Sequence, residues 1–285
     1  MTRKSLFHFV LVGILWGIPY LLMKVAVEDF PPAAVVAGRT LIGASILIPV
    51  ALYRNTFKGA VLGFKYVAFY ALMEMIGPWI LITTAEQKID SGLAGLLVST
   101  VPIFATIITS LRGDHSVWQF KRIFGIVVGF IGLILVVGIE SLSGNSDPLS
   151  IAMVILASMG YSYAVIMVTS NLPLVDGVAI NGLAMAITSV FWAPVAIAQW
   201  PSSISLNSTL SLLALGVFST AFAFILFFKV MAEIGPARGS LVTYLNTAIA
   251  VVLGVIILRE PLTVGIVVGL PLVLVGSYLA SRKTA

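Results

Sequence analysis

The sequence predicts an all-α integral membrane protein of ten transmembrane helices, arranged as two inverted five-helix repeats around a central cavity. Three observations support this fold class. Apolar residues make up 60% of the chain and charged residues only 9%, whereas soluble domains carry about 25% charged residues. Ten apolar segments are long enough to cross a bilayer. Part of the first half of the chain also aligns with part of the second half.

The ten segments follow one another with short connections, so we expect consecutive helices to be antiparallel. A helix needs about 20 apolar residues to cross the roughly 30 Å hydrocarbon layer. The segments that meet this requirement are Leu6–Val27, Ala33–Leu52, Tyr66–Thr84, Gly92–Leu111, Ile123–Ile139, Leu149–Thr169, Val178–Gln199, Leu210–Phe228, Ser240–Leu258 and Thr263–Ala280. No small-residue cleavage site follows the first segment, which predicts a retained helix and not a signal peptide.

Two stretches of the chain align without a gap. Ala85-Glu86 falls on Ala232-Glu233, and Leu111-Arg112 falls on Leu258-Arg259. An odd number of spans in each repeat inserts the second copy in the opposite orientation, which is typical of transporters that alternate between two membrane faces. We therefore divide the chain into a repeat at 1–140, a linker at 141–148 and a second repeat at 149–285.

A glycine-containing pentapeptide, GIVVG, occurs at 125–129 and again at 265–269. Small residues let membrane helices approach closely, so these stretches predict helix packing within the chain. A contact between two copies of the chain is the alternative, and it leaves both a monomer and a homodimer open.

The distribution of basic residues predicts the orientation, because cytoplasmic loops retain Lys and Arg. With the amino terminus inside, the outer loops hold only Lys88 and Arg259. The inner segments then hold Arg3, Lys4, Arg54, Lys58, Lys65, Arg112, Lys121, Arg122, Lys229, Arg238, Arg282 and Lys283. Both termini are therefore expected in the cytoplasm.

Three ionisable residues lie inside the apolar segments, where a charge is costly and marks a functional hypothesis. Glu74 is about eight residues into the third segment, roughly 12 Å from the inner surface at 1.5 Å per residue. It is a candidate for substrate binding or coupling, with a structural hydrogen bond as the alternative. Arg39 is a candidate for binding or a counter-ion for Glu28 or Asp29. Lys24 could instead extend its side chain to the interface.

The ninth segment carries polar side chains on one helical face, with an amide beside them: Ser240, Thr243, Tyr244, Asn246 and Thr247. In the repeat alignment, Ser99 and Thr100 match Asn246 and Thr247. Both helices would then offer polar groups to a shared central space, and hydrogen bonding between helices is the equal alternative. Asn181 in the seventh segment is a further candidate.

Aromatic residues supply the remaining candidates for a substrate-binding surface. Tyr20 coincides with Tyr161 when the first and sixth segments are aligned. Trp16 and Tyr163 lie mid-segment, where they would line a cavity suited to ring stacking or an apolar side chain. Trp79 could serve there or in an interfacial aromatic belt.

Prolines inside five of the segments predict kinks, because each removes a backbone hydrogen bond. In transporters such interruptions often lie beside the binding site. The residues are Pro19, Pro78, Pro102, Pro194 and Pro271.

Several functional classes are excluded. His8 and His115 are far apart, the acidic residues are scattered, and no glycine-rich nucleotide loop is present, which argues against an enzyme or an ATP-driven pump. The chain has no cysteine, and its net charge of +5 comes from basic residues dispersed between apolar runs. We expect no metal, no cofactor and no nucleic acid; the partners are a small-molecule substrate and the lipid bilayer.

The sequence resembles the bacterial EamA-type transporters of the drug/metabolite transporter superfamily over its whole length. The resemblance rests on an ordered series: Trp16-Gly17, Lys24, Pro31-Pro32, Arg39, Pro102, and Arg259-Glu260-Pro261-Leu262-Thr263. Two departures occur. Where the family often has a Glu after the fourth span, Asp114 stands in Arg112-Gly113-Asp114, and Ala157-Ser158 replace the second Trp-Gly pair.

The resemblance implies a secondary transporter of the bacterial inner membrane, exporting amino acids or other small metabolites through a central cavity. The chain is also similar to the aromatic amino-acid exporters of the YddG type. Glu74 and Arg39 would bind the two charges of a zwitterion, and the aromatic residues would bind its side chain. The alternatives are a drug or metabolite exporter, or an uncoupled facilitator, on the same fold.

Overall fold

The computed structural model describes residues 2–113, 119–142, 147–235, 239 and 241–281. Within those residues the protein is all-helical, as predicted. The ten main helices, α1 to α10, are Arg3–Ala26, Pro32–Tyr53, Phe64–Ala85, Ser91–Leu111, Phe120–Leu142, Pro148–Asn171, Gly177–Ala198, Leu206–Ile234, Val242–Ile257 and Val264–Ser281. A short helix, Phe57–Leu62, precedes α3. Six residues named in the sequence analysis lie outside the described residues, as do positions 143–146 of the linker. They are Asp114, His115, Arg238, Ser240, Arg282 and Lys283.

Eight of these helices, α1 to α8, are long and apolar enough to cross a membrane, and α9 and α10 are shorter apolar helices. The local sequence explains where several of them begin. A side-chain oxygen at the preceding residue accepts a hydrogen bond from a backbone amide of the first turn, which satisfies a donor that the helix leaves free. The capping residues are Thr2 for α1, Asp147 for α6, Asp176 for α7 and Ser205 for α8.

Three helices are interrupted. Two of them, α3 and α8, hold the same position in the two halves of the chain, and the third is α4. α3 widens into a π-helical segment at Leu72–Ile76, and α8 does so at Leu215–Phe222. α4 breaks at residues 99–100, between Ser91–Val98 and Val101–Leu111. Of the prolines predicted to kink helices, Pro78 and Pro102 follow such interruptions.

The helix continues through the other three prolines, at positions 19, 194 and 271. These three positions therefore carry a proline without a break in the helix. This tolerance is common in membrane helices, because neighbouring groups satisfy the freed backbone.

Helix contacts between the two halves of the chain are interchangeable. α2 packs against α7 and α5 against α10. The contact of α1 with α9 has its counterpart in α6 with α4, and that of α1 with α8 in α6 with α3. The contact of α2 with the π segment of α8 likewise matches that of α7 with α3. Exchanging the two halves therefore preserves the main packing partners.

The predicted use of glycine for close packing is found at the contact of α5 with α10. A Cβ atom added at Gly276 would collide with the backbone nitrogen and Cα of Gly129, and would lie 2.7 Å from the carbonyl oxygen of Gly125. One at Gly125 would come equally close to the backbone of Ala280. The GIVVG glycines at 125 and 129 thus serve packing within the chain.

Candidate functional site

The two π segments lie on either side of a group of polar and aromatic residues in the middle of the bundle. A π segment displaces backbone groups from their usual partners, and such segments are frequent at functional sites. The first contributes Glu74 and the second contributes Ser219 and Thr220. Within the described chain, the Glu74 Oε2 and Ser219 Oγ atoms are buried without a hydrogen-bond partner. Each π segment therefore presents an unpartnered buried oxygen.

Arg39 of α2 is buried between the two halves, with 6% of its surface exposed. Its Nε and Nη2 atoms donate to Thr220 Oγ1 at 3.3 and 3.2 Å, and its Nη1 donates to Met23 Sδ at 3.4 Å. The guanidinium carbon lies 3.8 Å from the centroid of the Trp79 ring. A cation stacked on an indole is stabilised by the ring quadrupole. Among the described residues a ring, a hydroxyl and a sulfur contact this charge, and no carboxylate forms an ion pair with it.

Tyr161 of α6 connects this cation to Glu74. It packs against two apolar clusters, of which one contains Tyr20 and the other Trp79, and it lies within electrostatic range of Glu74 and Arg39. We call the six residues that share these contacts the central cluster. They are Tyr20, Arg39, Glu74, Trp79, Tyr161 and Thr220.

Two contacts from α7 fasten α3 beside the central cluster. Tyr70 donates its hydroxyl proton to Asn181 Oδ1 at 3.1 Å, and the Asn181 amide donates to the Gly177 carbonyl at 2.9 Å. Trp192 donates to the carbonyl oxygen of Ile76, at the end of the π segment, at 3.1 Å. The first bond places Asn181 next to the cluster, and the second satisfies a carbonyl at the end of the interruption.

One end of the bundle is sealed by polar contacts between loops. The Lys24 ammonium donates to the backbone carbonyls of Glu86 and Ile89, both at 2.7 Å. The Glu260 carboxylate accepts hydrogen bonds from the Ser91 amide at 2.7 Å and hydroxyl at 2.9 Å, and from the amide at residue 92 at 3.1 Å. We call this the sealed end; it comprises the end of α1, the loop at 86–90 and the loop at 258–263.

The opposite end of the bundle contains a cavity of about 450 Å³. Its lining is mixed, with two cations, a carboxylate and apolar groups. The residues are Arg54, Asp176, Gly177, Ile225, Phe228, Lys229 and Ala232. This cavity lies where α2 and α8 end and α7 begins.

The structure brings some of the predicted site residues together and separates others. Tyr20, Arg39, Glu74 and Trp79 lie in the central cluster, and Asn181 lies beside it through Tyr70. Trp16 packs instead on Phe224 and Phe227, with ring centroids 5.5 and 4.5 Å away. Tyr163 packs on Phe69, with 5.8 Å between ring centroids, and is 36% exposed.

In this conformation the hydroxyls of Ser99 and Thr100 donate to their own helix and do not face an open space. Both side chains are buried, and each hydroxyl donates to a carbonyl three residues earlier in α4, at Leu96 and Leu97, at 2.6 Å. Thr247 behaves similarly and donates to Thr243 at 2.9 Å.

The remaining stripe residues of α9 are half-buried. Asn246 lies against Gly17 of α1, where a Cβ would be 3.0 Å from the Asn246 carbonyl oxygen. Tyr244 packs on Tyr278 of α10, with 6.3 Å between ring centroids. This helix face therefore serves contacts between helices.

Sequence reasoning missed two members of the site region. Glu86 follows the third apolar segment directly, and its burial depends on loops that approach from elsewhere. The alignment of Ala85-Glu86 with Ala232-Glu233 was the available signal. Thr220 is a hydroxyl within an apolar run, and nothing in the sequence distinguishes it.

Comparison with known proteins identifies the family model that this chain matches. The model of the EamA-like transporter family matches residues 3–138 and 148–282, once in each half. The uncharacterized transporter YoaV of Bacillus subtilis is 25% identical, over 97% of this chain and 96% of that protein. The uncharacterized inner membrane transporter YedA of Escherichia coli is 25% identical, over 95% and 90%.

A solved crystal structure shares the fold. Its TM-score is 0.70 at 15% sequence identity, and the alignment covers 99% of this chain and 97% of the other. At that identity the likeness concerns the fold alone.

Proposed function

Because this chain belongs to the EamA-like transporter family, we propose that it is a secondary transporter exporting small metabolites across the bacterial inner membrane by alternating access. Amino acids with aromatic or other neutral side chains are the favoured substrates, as in YddG-type exporters. The family is a transporter family, and the chain is a multi-pass membrane protein. The substrate class is argued from the central cluster.

Two five-helix repeats, at 1–140 and 149–285, support alternating access. The packing partners of the two halves interchange, and the family model matches each half separately. Repeats in opposite orientations allow one set of contacts to open while the equivalent set closes. Ten spans with both termini in the cytoplasm complete this arrangement.

The observation that carries the substrate proposal is the separation of opposite charges across an aromatic group. Arg39 rests on Trp79, Glu74 has an unpartnered oxygen among the described residues, and Tyr161 interacts with both charges. A zwitterion matches this layout, because its carboxylate and ammonium find opposite partners. The rings of Tyr20 and Trp79 provide an apolar surface for a neutral or aromatic side chain.

We infer that the conformation described here is closed at the sealed end. With both termini cytoplasmic, the sealed end faces outward and the cavity near Arg54 and Lys229 faces the cytoplasm. An exporter would take up its substrate in this state. The cationic groups at the cavity would attract the carboxylate of a substrate on its way to the central cluster.

Two alternatives use the same fold. Drugs or other metabolites could be the substrates, and movement down a gradient could occur without coupling. A multiply charged anion fits less well, because Arg39 is the cation of the central cluster and its partners are a ring, a sulfur and a hydroxyl.

A flux assay with purified protein in liposomes tests the proposal. Labelled phenylalanine, threonine and lysine are compared, and phenylalanine is expected to move fastest. Glu74→Gln should lower phenylalanine transport about tenfold, the equivalent of one charge-assisted hydrogen bond of about 1.5 kcal/mol. Glu28→Gln, at an exposed loop position, is the matched control. Transport of none of the three amino acids refutes the substrate class, and unchanged flux in folded Glu74→Gln protein removes Glu74 from the site.

A further inference from the structure

Glu86 has a buried carboxyl group with no role in the transport mechanism proposed above. It is the first residue after α3, and none of its surface is exposed. Neither carboxyl oxygen has a hydrogen-bond partner in the part of the chain that the structure describes. The acid at Glu260, also at the sealed end, accepts three hydrogen bonds. At the sealed end, Glu260 therefore has hydrogen-bond partners, whereas Glu86 has none among the described residues.

Charged and titratable groups face Glu86 from each surrounding element. Lys24 and Tyr20 come from α1, Arg39 from α2 and Glu260 from the loop after α9. Neither cation forms an ion pair with Glu86 within the described chain. The Lys24 ammonium is instead bound to the main-chain carbonyls at residues 86 and 89, and the Arg39 guanidinium is bound as described above.

A carboxylate in this position would be strongly destabilised. Burying a charge without a hydrogen-bonded partner costs several kcal/mol, and the group avoids this cost by taking up a proton. Burial raises the pKa of Glu86 well above its ordinary value, and the neighbouring Lys24 opposes this only in part. The neutral acid is accordingly the form that the sealed end accommodates.

The site has no room for a larger ligand in this conformation, since Glu86 and Ile89 are 0% and 1% exposed. A proton can bind a carboxyl group without any cavity. We propose, on the basis of the proposed alternating access, that Glu86 is a proton-binding site and that the outer end closes only when Glu86 is protonated. On opening, the O–H bond breaks, the proton passes to external water, and the carboxylate remains.

This arrangement divides roles between Glu74, in α3, and Glu86, directly after it. Glu74, half-buried in the π segment, stays within reach of substrate, whereas Glu86 is reached only when the loop at 86–90 separates from α1. Protonation of Glu86 would then link external pH to closure after substrate release. The closed state binds one proton more than the open state, so its population falls as external pH rises through the range in which Glu86 loses its proton.

Accessibility of a single cysteine measures opening without any substrate. The chain has no cysteine, so Ile89→Cys provides one reporter at the sealed end and Glu28→Cys provides an exposed reference. The rate of labelling by a membrane-impermeant maleimide is measured in right-side-out vesicles as external pH rises. The ratio of the two rates is expected to increase by up to about tenfold per pH unit, the limit for one linked proton.

Glu86→Gln, which mimics the protonated acid, should keep this ratio low and independent of pH. A flat profile in protein that retains Glu86 overturns the proposal, as does an unchanged profile in Glu86→Gln. If Glu86→Gln protein does not fold, Glu86→Asp replaces it and should shift the midpoint; an identical midpoint counts against Glu86. Because labelling requires no transport, these outcomes are independent of whether phenylalanine is a substrate.

Discussion

Replacing Glu260 by Ala removes a polar contact between the second half of the chain and the start of α4. Its carboxylate accepts two hydrogen bonds from Ser91 and one from the amide at residue 92, at 2.7 to 3.1 Å. The glycine at 254 makes room for this carboxylate, since a Cβ there would collide with Glu260 Oε2. The backbone at Arg259, with φ of 57°, turns the chain so that the acid faces α4.

The expected loss of stability follows from these three bonds. Hydrogen bonds to a charged acceptor contribute about 1.5 kcal/mol each at the lower end of their range. Interactions of this kind are weaker in membrane proteins, with an average near 0.6 kcal/mol. Glu260→Ala should therefore lower the free energy of unfolding by about 2–4 kcal/mol. Glu260→Gln retains an acceptor without the charge and should lose about half as much.

Unfolding in mixed micelles with increasing SDS, followed by the fluorescence of the five tryptophans, gives the free-energy differences. Glu28→Ala is the control and should stay within about 0.5 kcal/mol of the wild type. Ser91→Ala, combined with Glu260→Ala in a double-mutant cycle, should show a coupling energy of about 0.5–2 kcal/mol. A Glu260→Ala protein as stable as the Glu28→Ala control, or a cycle without coupling, refutes this account of the contact.

Two further substitutions test the packing and the central cluster. Gly276→Ala places a methyl group against the backbone of Gly129, so α5 and α10 must separate, and the same unfolding assay should show a loss of about 1–3 kcal/mol; wild-type stability would contradict so close a contact. Arg39→Lys keeps the charge but loses the planar stack on Trp79 and the two donors to Thr220. It should therefore lower the free energy of unfolding by about 1–2 kcal/mol. An Arg39→Lys protein with unchanged stability and transport would show that a point charge suffices.

Much of the fold was predictable from the sequence because lipid imposes simple requirements on a chain. Every backbone polar group must find a partner within its own helix, so long apolar runs become helices. The predicted segments and the observed helices coincide within a few residues for most of the chain. The largest differences are at α8, which extends over Leu206–Ile234, and at the interruptions of α3 and α4.

The candidate site was predictable only in part. Arg39 and Glu74 are charges inside apolar runs, and the cost of burying them is visible in the sequence. For Ser99 and Thr100 the sequence left two interpretations open, since a hydroxyl can bond within its own helix or line a cavity, and composition does not distinguish the two. Trp16 and Tyr163 show the same limit for aromatic residues, because the direction in which a ring points depends on how neighbouring helices are rotated.

The sequence by itself determined that most of this chain lies in lipid and that it forms helices, because both follow from local composition and from long apolar runs. It also determined that the two halves are similar, because parts of them align. Only the tertiary structure decided which charges meet. Arg39 contacts a ring and a hydroxyl and forms no ion pair with an acid among the described residues, and Lys24 donates to carbonyls and not to a carboxylate. The Glu86 carboxyl group has no hydrogen-bond partner in the same part of the chain. The physical reason is that pairing depends on contacts between residues far apart in the chain, and local pattern carries no record of them.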